Sequence, residues 1–133
     1  MTGTIRTKLF ISSDALDTDF TIKLVDVHPD GTAYNVDDTI QRARYRDGYD
    51  EEVFMTPGET YEIDMTPLST SYTFKTGHRI RLEVSSSKFP QYMRNLNTGG
   101  NNVDETEAVV ARNRVHHGPQ FSSRIVLPIV PGD

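Results

Sequence analysis

The segment Gly77-His78-Arg79-Ile80-Arg81-Leu82-Glu83-Val84-Ser85-Ser86-Ser87 carries the clearest structural pattern in the sequence. Apolar side chains at positions 80, 82 and 84 alternate with charged side chains at 79, 81 and 83, which is the period of a half-buried β-strand. We therefore predict a strand that turns Ile80, Leu82 and Val84 towards a core and its charged residues towards solvent.

The same alternation recurs along the chain, whereas no helical period is found. In segment 4–11, Ile5, Leu9 and Ile11 share one face. Segment 20–27 is apolar on both faces near its end, which predicts burial on both sides of that strand. The other predicted strands are segments 33–36, 39–46, 60–65, 107–116 and 124–130.

Turn signals separate these segments. In His28-Pro29-Asp30-Gly31 the proline presets φ and the glycine accepts a positive φ, so the chain can reverse there. Asp47-Gly48, Pro57-Gly58 and Thr76-Gly77 mark further turns. About eight short strands joined in this way predict an all-β fold, a jelly-roll β-sandwich that occupies residues 1–133 as one domain.

Composition limits the function classes. The chain has 133 residues with 14 basic and 19 acidic side chains, a net charge of −5, which argues against binding nucleic acid through a basic face. It has no apolar run near the roughly 18 residues of a membrane span and no signal-peptide stretch, so we expect no membrane partner. Cysteine is absent, which excludes disulfides, cysteine-bound zinc, iron–sulfur clusters and thiol catalysis. A cytoplasmic location is the expectation that fits these features.

The residues nominate no catalytic side chain and no cofactor. An α/β-hydrolase places its serine in a Gly-x-Ser-x-Gly turn, and no such segment occurs in the sequence. Adjacent strand residues face opposite sides of a sheet, so His116 and His117 are poorly placed to share a metal ion. We interpret His78 as a structural hydrogen-bonding residue, and we expect His28, which precedes a turn proline, to be exposed.

The densest acidic cluster consists of Asp14, Asp17 and Asp19. Asp-Thr-Asp resembles part of a calcium loop, but the glycine and the bidentate glutamate of an EF-hand loop are missing. Two interpretations stay open for these residues: a calcium site, or aspartates that accept hydrogen bonds from local backbone N–H groups.

Arg42, Arg44 and Arg46 would form one cationic ladder on a regular strand, because alternate residues share a face. Like charges on one face destabilise a sheet unless acidic residues lie opposite them. The ladder is therefore either paired with glutamate or aspartate across the sheet, or directed at an acidic partner surface, for which guanidinium groups are well suited.

The segment Phe89-Pro90-Gln91-Tyr92-Met93-Arg94-Asn95 is rich in large side chains for a loop. Aromatic, methionine and arginine residues are enriched at protein contacts, so Phe89, Tyr92 and Arg94 are interface candidates. In the alternative interpretation, Phe89 and Tyr92 cap the open end of the sandwich core.

Four long segments, taken in order, carry a family resemblance over residues 3 to 130. They are Ser12-Ser13-Asp14-Ala15-Leu16-Asp17-Thr18-Asp19-Phe20 with Lys23-Leu24-Val25-Asp26-Val27-His28-Pro29-Asp30-Gly31, then Arg42-Ala43-Arg44-Tyr45-Arg46, then Gly77 to Ser87 with Phe89-Pro90, and Arg94-Asn95-Leu96-Asn97-Thr98-Gly99-Gly100. The chain resembles the C-terminal domain of X-Pro dipeptidyl-peptidases and cocaine-esterase-like serine hydrolases. The same domain closes α-amino-acid ester hydrolases and glutaryl acylases.

The resemblance implies a jelly roll similar to galactose-binding-like domains, with a non-catalytic role. In this family the nucleophile, acid and histidine lie in a preceding α/β-hydrolase domain under a helical cap, and none of those motifs occurs in this chain. The expected function is that of an accessory domain that braces the catalytic domain of the same polypeptide and shapes its substrate cleft. Association into a homo-oligomer is a further expectation. The three arginines and the 89–95 loop are the expected contact surface.

Two other functions stay open. A jelly-roll binding module would present an aromatic platform to a carbohydrate or another ligand, and Tyr45, Tyr49 and Tyr72 are available for it in a chain without tryptophan. A stand-alone enzyme would need serine, histidine and carboxylate side chains that meet in one pocket. Whether the chain is a domain cut from a longer protein or a gene product of its own is likewise open.

Overall fold

In the part of the chain that the structure describes, seven strands form two antiparallel sheets. The structure is a computed structural model, and it describes residues 1–132 except for the side chains of residues 66 and 67. A short 3-10 turn, Ala43–Tyr45, follows the third strand. The strands are β1 (Thr2–Ser13), β2 (Asp19–Val27), β3 (Ala33–Arg42), β4 (Tyr61–Ser71), β5 (Arg79–Ser85), β6 (Asn113–His116) and β7 (Arg124–Val126).

Each sheet is organised around one long central strand. In the first sheet, β1 pairs with β4 and, along different parts of its length, with β6 and β7. In the second sheet, β2 lies between β3 and β5. The two sheets pack into a β-sandwich, which confirms the predicted all-β class. Within residues 1–132, no helix is long and apolar enough to cross a membrane.

The core lies between the two central strands. Ile5, Leu9 and Ile11 of β1 are buried on one face, as the alternation predicts, and they pack with Phe20 and Leu24 of β2. The two valines near the end of β2 are buried as well, on the other face of that strand. Burial on both sides of β2 was therefore predicted correctly.

The third strand starts where predicted but differs from the prediction in its middle and at its end. Segments 33–36 and 39–46 are a single strand, which stops at Arg42. The chain leaves the sheet there because the backbone N–H of Arg44 donates to the side chain of Asp17, at 2.8 Å, instead of to a neighbouring strand. A side chain distant in sequence thus ends β3, which alternation alone does not reveal.

The last two strands are shorter than predicted. Segment 107–116 is a strand only at Asn113–His116, and segment 124–130 only at Arg124–Val126. In the excluded parts, Val110 and Ile129 are exposed, whereas Leu127 still packs against the core. Alternating side chains make a strand only where a partner strand accepts the backbone hydrogen bonds, and Pro128 has no N–H to offer one.

The fifth strand forms where predicted, but its apolar face is only partly covered. Pairing of Leu24 with Leu82 turns Ile80, Leu82 and Val84 to the core side of the sheet. Leu82 packs against the core, whereas Ile80 is 49% exposed and Val84 37% exposed. The predicted side is correct for all three residues, but Ile80 and Val84 stay partly exposed because β5 pairs with only one strand in the described sheet.

Candidate functional site

A buried ion-pair cluster lies at the start of β2, beside the 3-10 turn. Asp17 and Asp19 are at most 1% exposed. Arg44 donates to Asp17 twice at 2.8 Å, from its side-chain Nε to Oδ2 and from its backbone N–H to Oδ1. Arg42 donates to both carboxylate oxygens of Asp19, at 2.9 and 3.2 Å. These four residues and Asn95 are called the arginine cluster below.

Asn95 joins the two carboxylates of the arginine cluster. Its Nδ2 donates to Asp17 at 2.7 Å and to Asp19 at 2.9 Å. Arg44 also donates to the carbonyl oxygen of Gly100 at 3.0 Å, so the loop after Asn95 is tied to the cluster at two points. Sequence reasoning missed this role of Asn95, because the bridge depends on residues 76 and 78 positions away.

The electrostatics of the cluster keep both guanidinium groups charged. For Arg42, the hydrogen bond to Asp19 is the largest influence and raises the pKa above its ordinary value, although burial opposes it. For Arg44, burial is the largest influence and would lower the pKa, but the bonds to Asp17 and Glu52 outweigh it and raise the pKa. The arginines are therefore permanent partners of the buried carboxylates, which supports the interpretation that they pair within the domain.

The three arginines do not form the predicted ladder. Because the 3-10 turn begins at Ala43, Arg46 leaves the sheet and donates to the carbonyls of Ala43 and Val53, at 2.9 and 2.6 Å. Its guanidinium also lies over the ring of Tyr61, 4.4 Å from the ring centroid. The ladder prediction was wrong because it assumed a regular strand through residue 46. A contact between these arginines and another domain stays a prediction.

The acidic trio of the sequence does not form a calcium loop. Arginines occupy the carboxylate oxygens of Asp17 and Asp19. Asp14 is exposed and accepts the backbone N–H of Arg112 at 2.7 Å. A calcium ion would need those same oxygens as ligands. The trio therefore acts through hydrogen bonds, and its partners are more distant in sequence than the local backbone groups that were expected.

Two clefts open beside the arginine cluster. They measure about 540 and 270 Å³, and Arg42, Tyr45 and Met93 line both of them. Tyr49 and Tyr92 line the smaller cleft, and the loop of glycines and asparagines after Asn95 lines the larger one. The walls thus combine aromatic rings, a methionine and a guanidinium group. The name cleft surface is used below for Tyr45, Tyr49, Tyr92 and Met93, together with Phe89 of the adjoining loop.

The 89–95 loop presents its large apolar side chains to solvent. Phe89 is 70% exposed and Met93 is 55% exposed. Phe89 therefore does not cap the sandwich core, and that alternative interpretation is wrong for this residue. Arg94 is also exposed. The use of the loop as an interface stays a prediction, but its side chains are free to reach one.

A single carboxylate anchors this loop to β3. Asp38 forms an ion pair with Lys88 and accepts a hydrogen bond from Gln91 at 3.2 Å, and the hydroxyl of the half-buried Tyr92 lies 3.5 Å away. Burial is the largest influence on Asp38 and would raise its pKa, but the bonds from Lys88 and Asn35 lower the pKa below the ordinary value of 3.8. The loop is thus positioned by a charged acid at neutral pH.

A serine–histidine pair lies where β1 meets β6. The Oγ of Ser12 is 2.9 Å from Nε2 of His116. Within residues 1–132, no carboxylate forms a hydrogen bond with the other ring nitrogen of His116. Ser12 is itself buried in a regular strand. The pair therefore lacks both the orienting acid and the exposed nucleophile of a hydrolase triad.

A further buried aspartate, Asp26, lies at the other end of β2 among histidine and tyrosine side chains. Asp26 is 1% exposed; it accepts the hydroxyl of Tyr72 at 2.6 Å and the Nδ1 of His78 at 2.9 Å. Nε2 of His28 is 3.5 Å from Asp26, and the rings of His28 and His78 are 4.1 Å apart. His78 forms a hydrogen bond within the domain, as predicted. His28 is only partly exposed, contrary to expectation, because its ring packs between His78 and Tyr34.

Sequence reasoning treated the two histidines separately because it lacked the pairing of β2 with β5. Val27 pairs with Arg79, so His28 and His78, the next residues beyond each strand, lie opposite one another. For Asp26, burial is the largest influence and would raise the pKa, but the tyrosine hydroxyl and the His78 ring together lower it below 3.8. The name histidine cluster is used below for these two histidines and Asp26.

The chain matches a known protein family and a known enzyme along almost its whole length. The family model of the X-Pro dipeptidyl-peptidase C-terminal non-catalytic domain matches residues 1–126. The chain is 51% identical to the cocaine esterase of Rhodococcus sp. (strain MB1 Bresler) over 132 residues, which is 98% of this chain and 23% of that enzyme.

Two solved structures share the fold of this chain. An aminopeptidase from a marine sediment archaeon, Thaumarchaeota archaeon, superposes with a TM-score of 0.88 at 29% identity over 93% of this chain. A selenomethionine-labelled α-amino acid ester hydrolase superposes with a TM-score of 0.87 at 29% identity over 92% of this chain. The chain spans only 22% of the length of either structure.

Proposed function

Because the chain belongs to the family of X-Pro dipeptidyl-peptidase C-terminal non-catalytic domains, we propose that it is an accessory domain that braces an α/β-hydrolase catalytic domain of the same polypeptide. The observation that carries the proposal is the match of a non-catalytic family over residues 1–126 of the chain. The chain also spans only 22–23% of the hydrolases it matches, which leaves most of their length for a catalytic domain.

The reaction of the whole protein would be acyl transfer to water, the hydrolysis of an ester or of an amide such as an X-Pro dipeptide bond. A serine nucleophile, a histidine base and an oxyanion hole would carry it, all outside this chain. The accessory domain would contribute a wall of the substrate cleft. Its rigid β-sandwich would hold that wall in position.

The cleft surface is the face that suits contact with the catalytic domain best. Phe89 and Met93 are large and more than half exposed, and Tyr49 is 72% exposed. Aromatic and methionine side chains are enriched at protein contacts, and apolar groups exposed close together mark interaction sites. The arginine cluster would support this face indirectly, because it holds in place the loop that forms one wall of the larger cleft.

A ligand-binding module is the second candidate, and one observation favours it. The smaller cleft is lined by Tyr45, Tyr49 and Tyr92, and the rings of the first two are 5.7 Å apart. Tyr72, the third tyrosine of the expected platform, is bonded to Asp26 instead. Titration with simple hexoses separates the two functions, since only a binding module would give saturable binding that Tyr49→Ala abolishes.

The experiment that tests the accessory function is a domain replacement. The segment of the Rhodococcus cocaine esterase that matches this chain is exchanged for the chain itself, and the chimera is compared with the same enzyme lacking that segment. We expect the chimera to regain ester hydrolysis and a higher melting temperature than the truncated enzyme. A truncated enzyme as stable and as active as the chimera would contradict a bracing role.

A control assay addresses catalysis by the chain alone. The purified chain is incubated with an activated short-chain acyl ester, and the Ser12→Ala variant is measured beside it. No hydrolysis above background is expected from either protein, because the serine–histidine pair lacks an acid. Turnover that a serine-reactive inhibitor blocks and that Ser12→Ala abolishes would overturn the non-catalytic assignment.

A further inference from the structure

We propose that the histidine cluster is a binding site for a borderline divalent cation such as Zn²⁺, with Asp26, His28 and His78 as its three protein ligands. The site is separate from the accessory function proposed above. Asp26 lies seven residues along β2 from Asp19 of the arginine cluster, which corresponds to about 23 Å of extended strand.

The distances within the cluster suit a tetrahedral ion. Nδ1 of His78 lies 2.9 Å from one oxygen of Asp26, and Nε2 of His28 lies 3.5 Å from the other. One ligand atom from each of the three residues lies within 4.8 Å of those of the other two. In a tetrahedral zinc site with bonds of about 2.0–2.1 Å, ligand atoms are about 3.3 Å apart, so small movements would place all three around one ion.

The donor set favours zinc and its neighbours over calcium or magnesium. Two imidazole nitrogens and one carboxylate are ligands that zinc and other first-row transition ions accept, whereas calcium and magnesium prefer oxygen alone. Three protein ligands leave a fourth position open. The side chain of His28 is 32% exposed, so water can reach that position.

The surrounding residues hold the ligands in place. The hydroxyl of Tyr72 donates to Oδ2 of Asp26 at 2.6 Å, and such contacts behind a ligand fix its orientation. The ring of Tyr34 packs against His28 with centroids 4.7 Å apart. The backbone N–H and carbonyl of His28 are both bonded within the turn that follows β2, to Thr32 and Gly31.

The cation would take the place of the proton that links His78 to Asp26. In the absence of metal, Nδ1–H of His78 donates to the buried carboxylate of Asp26. An imidazole binds a metal ion through an unprotonated nitrogen, so the proton leaves Nδ1 and is held at Nε2 of the same ring, and Nδ1 and the carboxylate oxygen would coordinate the ion. The positive ion would lie against the buried carboxylate of Asp26, so the charge of that carboxylate would be compensated.

The test uses isothermal titration of the tag-free chain with ZnCl₂, and absorption spectroscopy with Co²⁺ as a visible substitute. We expect one ion per chain and the intense visible bands of four-coordinate Co²⁺. His28→Phe keeps an aromatic ring against Tyr34 but removes a ligand, so it should weaken zinc binding at least about 10-fold. The matched control His117→Phe alters an exposed histidine outside the cluster and should change the affinity less than about 2-fold.

Three results would contradict the proposed zinc site. Zinc binding that is absent, or equally strong in His28→Phe and in wild type, would overturn the site. Weak bands typical of hydrated, six-coordinate Co²⁺ in the wild-type chain would also overturn it, without reliance on any variant. Far-UV circular dichroism confirms that both variants are folded. Neither readout involves ester hydrolysis, so failure of this site leaves the proposed accessory function untouched.

Discussion

The second strand carries a buried acidic residue near each end, and the two ends differ in what satisfies the charge. At the first end, Asp19 meets the guanidinium of Arg42, and the neighbouring Asp17 meets that of Arg44. At the other end, Asp26 meets two imidazole rings and a phenol. Guanidinium groups remain charged at every accessible pH, whereas imidazole can exchange its proton for a metal ion.

The difference separates a structural cluster from a candidate binding site. The arginine cluster closes on itself and ties the loop after Asn95 to the sandwich. The histidine cluster keeps one half-buried ring at the surface. Two acids of similar burial therefore serve different purposes, according to whether their partners are permanent or exchangeable.

The largest expected effect tests the permanence of the first cluster. Asp17→Ala leaves the buried guanidinium of Arg44 without its main partner, so it should cost about 3–5 kcal/mol of unfolding free energy. Asp14→Ala removes an exposed carboxylate with one backbone bond and should cost about 1 kcal/mol. Urea unfolding measures both. Equal losses in the two variants would mean that the arginine cluster contributes no special stability.

A slightly smaller effect tests the histidine cluster, whose imidazole groups can exchange a proton for a metal ion. Zn²⁺ at 100 times its dissociation constant should stabilise the wild-type chain by about 2.7 kcal/mol, because it binds only the folded state. The His28→Phe variant should gain no such stability at the same zinc concentration. A rise in melting temperature that is identical in both proteins would show that the ion acts elsewhere.

A third prediction concerns Asp38, a carboxylate that belongs to neither cluster and pairs with Lys88. The pKa of Asp38 is lowered in the folded chain, so its stabilising contribution is present above its ordinary value of 3.8 and is lost as the pH falls through the folded value. Wild type should therefore keep its stability advantage over Asp38→Asn at neutral pH and lose it as the pH falls below 3.8 through the folded value. Thermal melts across this range check it, and parallel curves for the two proteins would contradict it.

The smallest effect is expected in the 89–95 loop of the isolated chain. Phe89→Ser and Met93→Ser alter exposed side chains, so each should change the unfolding free energy by no more than about 0.5 kcal/mol. Val110→Ser, at an 85% exposed position outside the cleft surface, is the matched control. A loss several times larger at Phe89 would mean that this ring supports the domain itself and is not held ready for a partner.

Pattern and composition were sufficient for the architecture but not for the sites. The alternation of Ile5, Leu9 and Ile11 predicted their common buried face, because strand periodicity is a local property. The end of β3 at Arg42 was not predictable, since a distant aspartate determines it. The pairing of His28 with His78 likewise required the register of two strands, which no local pattern contains.

The most direct test of the accessory function is the melting temperature of the esterase chimera with and without the cleft side chains. The double variant Phe89→Ser/Met93→Ser is introduced into the chimera, and Val110→Ser serves as its control. If the cleft surface contacts the catalytic domain, the double variant lowers the melting temperature of the chimera but not that of the isolated chain. Identical melting of the double variant, the control and the unaltered chimera would contradict the account.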